Sequence, residues 1–213
     1  MIISRTPYRI SFFGGGTDYP KWYREYGGTV LTTSIDKYCY LSIRYLPPFF
    51  EHKHKIIYSK IETVQDISDI QHPSVREVLK YFNIKDGLEI HHDGDLPARS
   101  GLGSSSAFTA GLINAVKALK NEFISKKDLG ELAIHIEQNL IKETVGSQDQ
   151  IATAHGGLNR VDFKTDGTID VTPLMITDEL RTNLQNSMML FFTGISRTAS
   201  DIAKKKIENF GNK

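Results

Sequence analysis

Pro97-Ala98-Arg99-Ser100-Gly101-Leu102-Gly103-Ser104-Ser105-Ser106-Ala107 decides how this chain reads: a glycine- and serine-rich turn opens into an apolar helical pattern from about Ala107. Gly101 and Gly103 permit backbone conformations closed to residues with a Cβ, and they let main-chain N–H groups come close to a ligand. Ser104, Ser105 and Ser106 are placed to cap the helix, whose first amides and positive dipole end favour an anion. The turn reads as a phosphate cradle. It is not a P-loop, because no Lys-Ser or Lys-Thr pair follows the second glycine. Taken alone, the string also suits an ordinary loop before a helix, so its neighbours must separate the two.

Working outward, Leu88 to His92 reads as the strand that delivers the chain to Pro97, and Ala107 to Leu119 carries Phe108, Leu112, Val116 and Leu119 on one helical face. Ser125 is a good N-cap for a second helix through Leu129, Leu132, Ala133 and Ile136 to about Lys142. Glu137 sits on its far half, and the irregular stretch Gly146 to Gln150 holds Asp149. At the other end, Ile2 to Phe13 reads as a strand that runs into Gly14-Gly15-Gly16-Thr17-Asp18-Tyr19. Arg9 lies on an otherwise apolar strand, so its guanidinium needs an anionic partner. An Arg9–Asp18 pair closing the turn is one candidate.

The remaining segments are a short helix from Pro20 to Tyr26, a β-rich run from Thr29 to Tyr45, a strand over Ile56 to Ser59, and a helix over Pro73 to Phe82. A hairpin follows from Leu158 to Phe163 and Ile169 to Val171, then a short buried strand over Ser187 to Thr193 and a basic helix. His52 and His54 lie in a charged stretch that reads as a solvated loop, and the adjacent His91 and His92 point to opposite faces of a strand.

The 213 residues carry a formal charge of +1, which lacks the basic field that nucleic acid or an anionic membrane surface demands. The single cysteine, Cys39, excludes an internal disulfide and sits in a strand pattern. Neither a secretory leader nor a bilayer-length apolar run is visible, so a cytoplasmic protein is expected.

Together the signals suit phosphoryl transfer, which needs a phosphate cradle, a magnesium ion and an acceptor hydroxyl held in line. The glycine loop supplies the cradle, Ser105 with Glu137 could hold the oxygen-seeking cation, Asp149 could orient the acceptor hydroxyl and take its proton, and Arg9 could neutralise charge beside it.

Pro7-Tyr8-Arg9-Ile10-Ser11-Phe12-Phe13-Gly14-Gly15-Gly16-Thr17-Asp18-Tyr19 resembles the first motif of the GHMP kinases, and Pro97 to Ala107 resembles their second, ATP-binding motif. Gly146 to Gln150 is similar to the segment bearing the catalytic aspartate. The resemblance implies an α+β fold: a GHMP kinase N-terminal domain like domain 2 of ribosomal protein S5 over residues 1–185, and the start of a ferredoxin-like C-terminal domain over residues 186–213, the rest of that domain lying beyond the sequence. It implies ATP and Mg2+ as cofactors, ATP-binding residues Pro97, Gly101, Leu102, Gly103, Ser104, Ser105 and Ser106, and catalytic residues Asp149 and Arg9. Ser105 and Glu137 would bind the metal, and Gly15, Gly16, Thr17, Asp18 and Arg197 the substrate. The Gly-Gly-Gly-Thr-Asp-Tyr wording and the later Phe-Thr-Gly-Ile-Ser-Arg segment resemble the members that phosphorylate the anomeric C1 hydroxyl of a heptose 7-phosphate, for nucleotide-activated heptose and surface polysaccharide. Arg99, Lys21, Arg24 and Arg197 are candidates for the substrate phosphate. Another sugar-1-kinase, of L-fucose for example, and a module that only senses a metabolite are the alternatives.

Overall fold

The computed structural model describes residues 1–98 and 100–191. β1 (Ile2–Phe13) and β2 (Gly28–Tyr45) form a long antiparallel pair, joined through α1 (Pro20–Tyr26). β2 is long enough that its other edge serves two partners: residues 39–45 pair with β5 (Leu88–Gly94), and residues 28–33 with β6 (Leu158–Phe163). β3 (His54–Ile57) runs parallel to β5 and carries β4 (Ile61–Val64) at the sheet edge, while β7 (Ile169–Pro173) completes the other edge against β6. The order is β4-β3-β5-β2-β6-β7, with β1 paired to β2.

Alternation along β2 buries Cys39, Leu41 and Ile43 on one face, after a separate alternating run that buries Val30 and Thr32 near its start. That face is covered by helices. α3 (Ser104–Leu119) lies against β1 and β2, and α2 (Pro73–Tyr81), α4 (Lys126–Ile134) and α5 (Gln148–His155) pack around it. α4 continues as a π-helical turn over His135–Leu140. Within this core the Cys39 thiol is pushed up to about 12 by burial, so it stays an inert apolar side chain. Among the described residues no helix is long and apolar enough to cross a membrane.

α3 approaches β1 closely because Gly111 leaves room. A Cβ there would stand 2.6 Å from the Thr6 hydroxyl oxygen and 3.3 Å from that of Ser4. Gly111→Ala therefore gains helix propensity but overpacks the contact, and a net loss of about 1–2 kcal/mol is expected. Thermal unfolding checks this, and adding Thr6→Ala should restore most of the loss.

The α+β expectation holds, with four differences. The segment of Asp149 is the first turn of α5 rather than an irregular turn. α6 (Asp178–Asn186), capped by the Thr177 hydroxyl, lies where no helix was expected; its apolar side chains are Leu180 and Leu184 alone, too short a stripe to mark a helix in sequence, and none of its residues is buried. His54 is buried in β3 instead of on a solvated loop, because pairing with β4 and β5 carries it into the sheet. Met188 to Phe191 are exposed and form no strand, since none of the strands among the described residues pairs with them. The rest of the Ser187–Thr193 reading and the basic helix lie outside the described residues.

Candidate active site

The site is assembled by Arg9. The β1–β2 register shifts between Pro7 and Arg9, and such an irregularity re-aims a side chain. Arg9 N–H donates to the Leu102 carbonyl at 3.0 Å, and its Nη1 donates to the Gly101 carbonyl at 2.8 Å. The other side of the guanidinium grips Asp149: Nε donates to Oδ1 at 2.7 Å and Nη2 to Oδ2 at 2.6 Å. This two-point fork suits Arg and fixes the carboxylate in plane as well as in distance. The Arg9–Asp18 alternative does not form. Gly103, at φ 75°, has no room for a side chain, because a Cβ would stand 3.0 Å from Arg9 Cγ.

Gly103 is also the N-cap of α3, in a left-handed conformation. The helix ladder begins with Ala107 N–H donating to the Gly103 carbonyl, so the amides before it precede the ladder and point out of the helix end. A serine cap was expected. Instead, the left-handed Gly103 takes the cap position, and Ser104 to Ser106 form the first turn. Gly101, at φ 78°, has open space where its Cβ would be, and Pro97 and Gly101 are exposed. A phosphate group fits this open, amide-lined end.

Glu137 reaches the same helix from the π turn, whose wider ring places Ile136 and Glu137 both inward. Its Oε2 accepts from Ser106 Oγ at 3.0 Å and from the Gln150 amide at 2.5 Å. Oε1 meets no donor among the described residues, at a side chain that is 1% exposed. Of the two residues expected to hold the metal, Ser105 is exposed, and the hydroxyl hydrogen-bonded to the Glu137 carboxylate belongs to Ser106, one residue further round α3. Burial pushes the Glu137 carboxyl up to about 7, against the opposing pull of Thr109, Gln150 and Ser106. A folded-state pKa above the unfolded one means that the folded protein binds the extra proton. The contribution of Glu137 to stability is thus lost as pH rises from about 4.5 to 7. Glu137→Gln should remove that slope, gaining about 1–3 kcal/mol on the wild type across the interval, as read by denaturant titrations at several pH values in the absence of metal.

The turn after β1 faces the same region. Thr17 Oγ1 donates to the Gly14 carbonyl at 2.8 Å and accepts from Thr29 N–H at 3.1 Å, which ties the turn to β2. Gly15 is exposed, and a Cβ on it would lie 3.6 Å from the Gln148 amide nitrogen, while Gly16 opens onto free space. Gln148 is held by Ser11, whose hydroxyl donates to its Oε1 at 2.7 Å. Asp18 is buried, and its carboxylate accepts from main-chain amides. Arg24 lies beside the Gly167 turn between β6 and β7. Arg99 and Arg197 lie outside the described residues. Sequence reading placed Ser106 in the ATP-binding loop but not at Glu137, and it missed Gln148 and Gln150. The one available signal was polar residues on the buried side of otherwise apolar helices, and it does not say which partner satisfies them.

Residues 72–157 match the description "GHMP kinases N terminal domain". Over this segment the chain is similar to the GHMP kinases. The chain is 29% identical to a D-glycero-alpha-D-manno-heptose 7-phosphate kinase of Campylobacter jejuni, over 99% of this chain and 65% of that protein, so it spans just under two thirds of that relative. It is 25% identical to a galactokinase of Thermococcus kodakarensis, over 95% of this chain and 57% of that protein. In fold, the chain superposes on a D-glycero-D-manno-heptose 1-phosphate kinase from Bacteroides thetaiotaomicron with a TM-score of 0.82, at 24% identity, covering 99% of this chain and 72% of that one.

Proposed function

We propose that the chain carries the nucleotide cradle and catalytic carboxylate of an ATP-dependent sugar kinase in the cytoplasm, one that phosphorylates the anomeric C1 hydroxyl of D-glycero-D-manno-heptose 7-phosphate. One observation carries the kinase reading: a single arginine joins the carbonyl of the phosphate-cradling loop to the carboxylate of Asp149. That brings the anion-binding end of α3 and a proton acceptor to one place, as in-line phosphoryl transfer requires. The 29% identity to a heptose 7-phosphate kinase over nearly the whole chain supports the acceptor.

In this reading the Gly101–Ser106 amides hold the triphosphate, and Asp149 orients the acceptor hydroxyl and takes its proton as the bond to phosphorus forms. Arg9 holds the Asp149 carboxylate in place by its two-point grip and offsets charge on the transferred group. Gly15, Gly16 and Gln148 border the space for the sugar. The residues present fit a magnesium ion: Glu137 Oε1 is buried without a donor and Ser106 adds a hydroxyl, all hard oxygen. Bound there with phosphate oxygens and water, the ion would neutralise charge on the nucleotide.

ADP release by the full-length chain, assayed with heptose 7-phosphate, L-fucose, galactose and mevalonate, tests the proposal. Heptose 7-phosphate should exceed the others in kcat/KM by about tenfold or more, a modest margin for a site that recognises an extra charged group. Preference for fucose or galactose would reassign the acceptor. Nucleotide or sugar binding without ADP release from any of them would mark a metabolite-binding module.

A further inference from the structure

Asp18 has a carboxylate that already has partners. Oδ1 accepts from Gly16 N–H at 2.9 Å, Oδ2 from Gln148 N–H at 3.2 Å, and its main-chain carbonyl from Ser147 N–H at 3.0 Å. α5 begins at Gln148, and its own cap residue, Ser147, makes no side-chain capping bond. The cap comes instead from Asp18, 130 residues earlier in the chain. Gly146 is required for this approach, because a Cβ on it would fall on the Asp18 carboxylate. Burial is the first reason that carboxyl is raised above its usual range, with the amides of Gly16 and Gln148 opposing and the charge of Asp149 adding to the rise.

We propose that Asp18 is a positioning residue: as an external cap on α5 it holds Gln148, and with it Asp149, in register with Arg9 and the glycine loop. Its effect on turnover rests on the kinase reading, whereas the capping does not. A first-turn amide ordinarily lacks a partner within its helix, and here Gln148 N–H has one from outside. A shift of the turn by a fraction of an ångström moves Asp149, the adjacent residue, against the acceptor.

Amide exchange and kinetics on the full-length chain test this with Asp18→Asn, which keeps the shape but turns an NH2 group toward one of the two amide donors. In the wild type the Gln148 amide should exchange slowly. In the variant it should exchange about tenfold faster or more, kcat with ATP and heptose 7-phosphate should fall about 10–100-fold, and KM for the sugar should stay within about twofold. Gly146→Ala displaces the carboxylate without altering it and should give the same split, so the test survives poor folding of either variant. A raised sugar KM with kcat and Gln148 protection intact would make Asp18 a sugar contact and overturn the proposal, as would fast exchange at Gln148 in the wild type. If Gln148 loosens in the variant while the wild type releases no ADP from any sugar, the cap stands and the kinase reading falls.

Discussion

Asp149→Asn is expected to lower turnover by about 10²–10⁴-fold, the range for losing a positioned general base, while ATP binding stays nearly intact. The asparagine keeps the shape of the side chain and one acceptor oxygen toward Arg9, so the loop held through Gly101 and Leu102 is undisturbed. What disappears is the negative charge that accepts a proton and half of the two-point grip on the guanidinium. Single-turnover rates and nucleotide titration read the two effects separately. An unchanged rate would remove Asp149 from the mechanism.

Arg9→Met should be costlier in kind, because the same side chain serves two parts of the site. Turnover should fall about 10²–10³-fold through loss of charge stabilisation. Unlike Asp149→Asn, this change should also weaken ATP binding, because the Gly101 carbonyl loses the donor that holds it. Stability should drop by about 1–2 kcal/mol. That is less than the full penalty for an orphaned buried charge, because Arg9 is 11% and Asp149 27% exposed and water can reach the carboxylate left behind. Arg9→Lys should recover only part of the loss, since an ammonium cannot span both carboxylate oxygens and the Gly101 carbonyl. Melting curves beside ATP titrations distinguish the variants: a stable Arg9→Met protein with wild-type ATP affinity would break the proposed link between loop and carboxylate.

The two variants show how the site depends on contacts between residues far apart in the chain. Arg9 and Asp149 are 140 positions apart, and Asp18 and Gln148 are 130. The sequence shows that Arg9 needs an anion, but it offers two, and only the bend of β1 at the register shift directs the guanidinium to Asp149 rather than Asp18. Likewise Glu137 reads as one polar residue in an amphipathic helix, and only the π turn rotates it into the core beside Ser106.

From sequence by itself came the elements whose cause is local: β1 and the glycine turn after it, α1 between Pro20 and Gly27, α3 after the Gly101–Gly103 loop, the Ser125 cap and the β6–β7 hairpin. Each follows from side-chain periodicity, a residue with restricted φ, or a hydroxyl one step before a helix, all within a few positions. The tertiary structure decided which serine faces Glu137, which carboxylate holds Arg9, and that Asp18 caps α5. Those outcomes depend on how far a helix is rotated and how closely two strands approach, quantities set by packing across the whole core and carried by no single stretch of the chain.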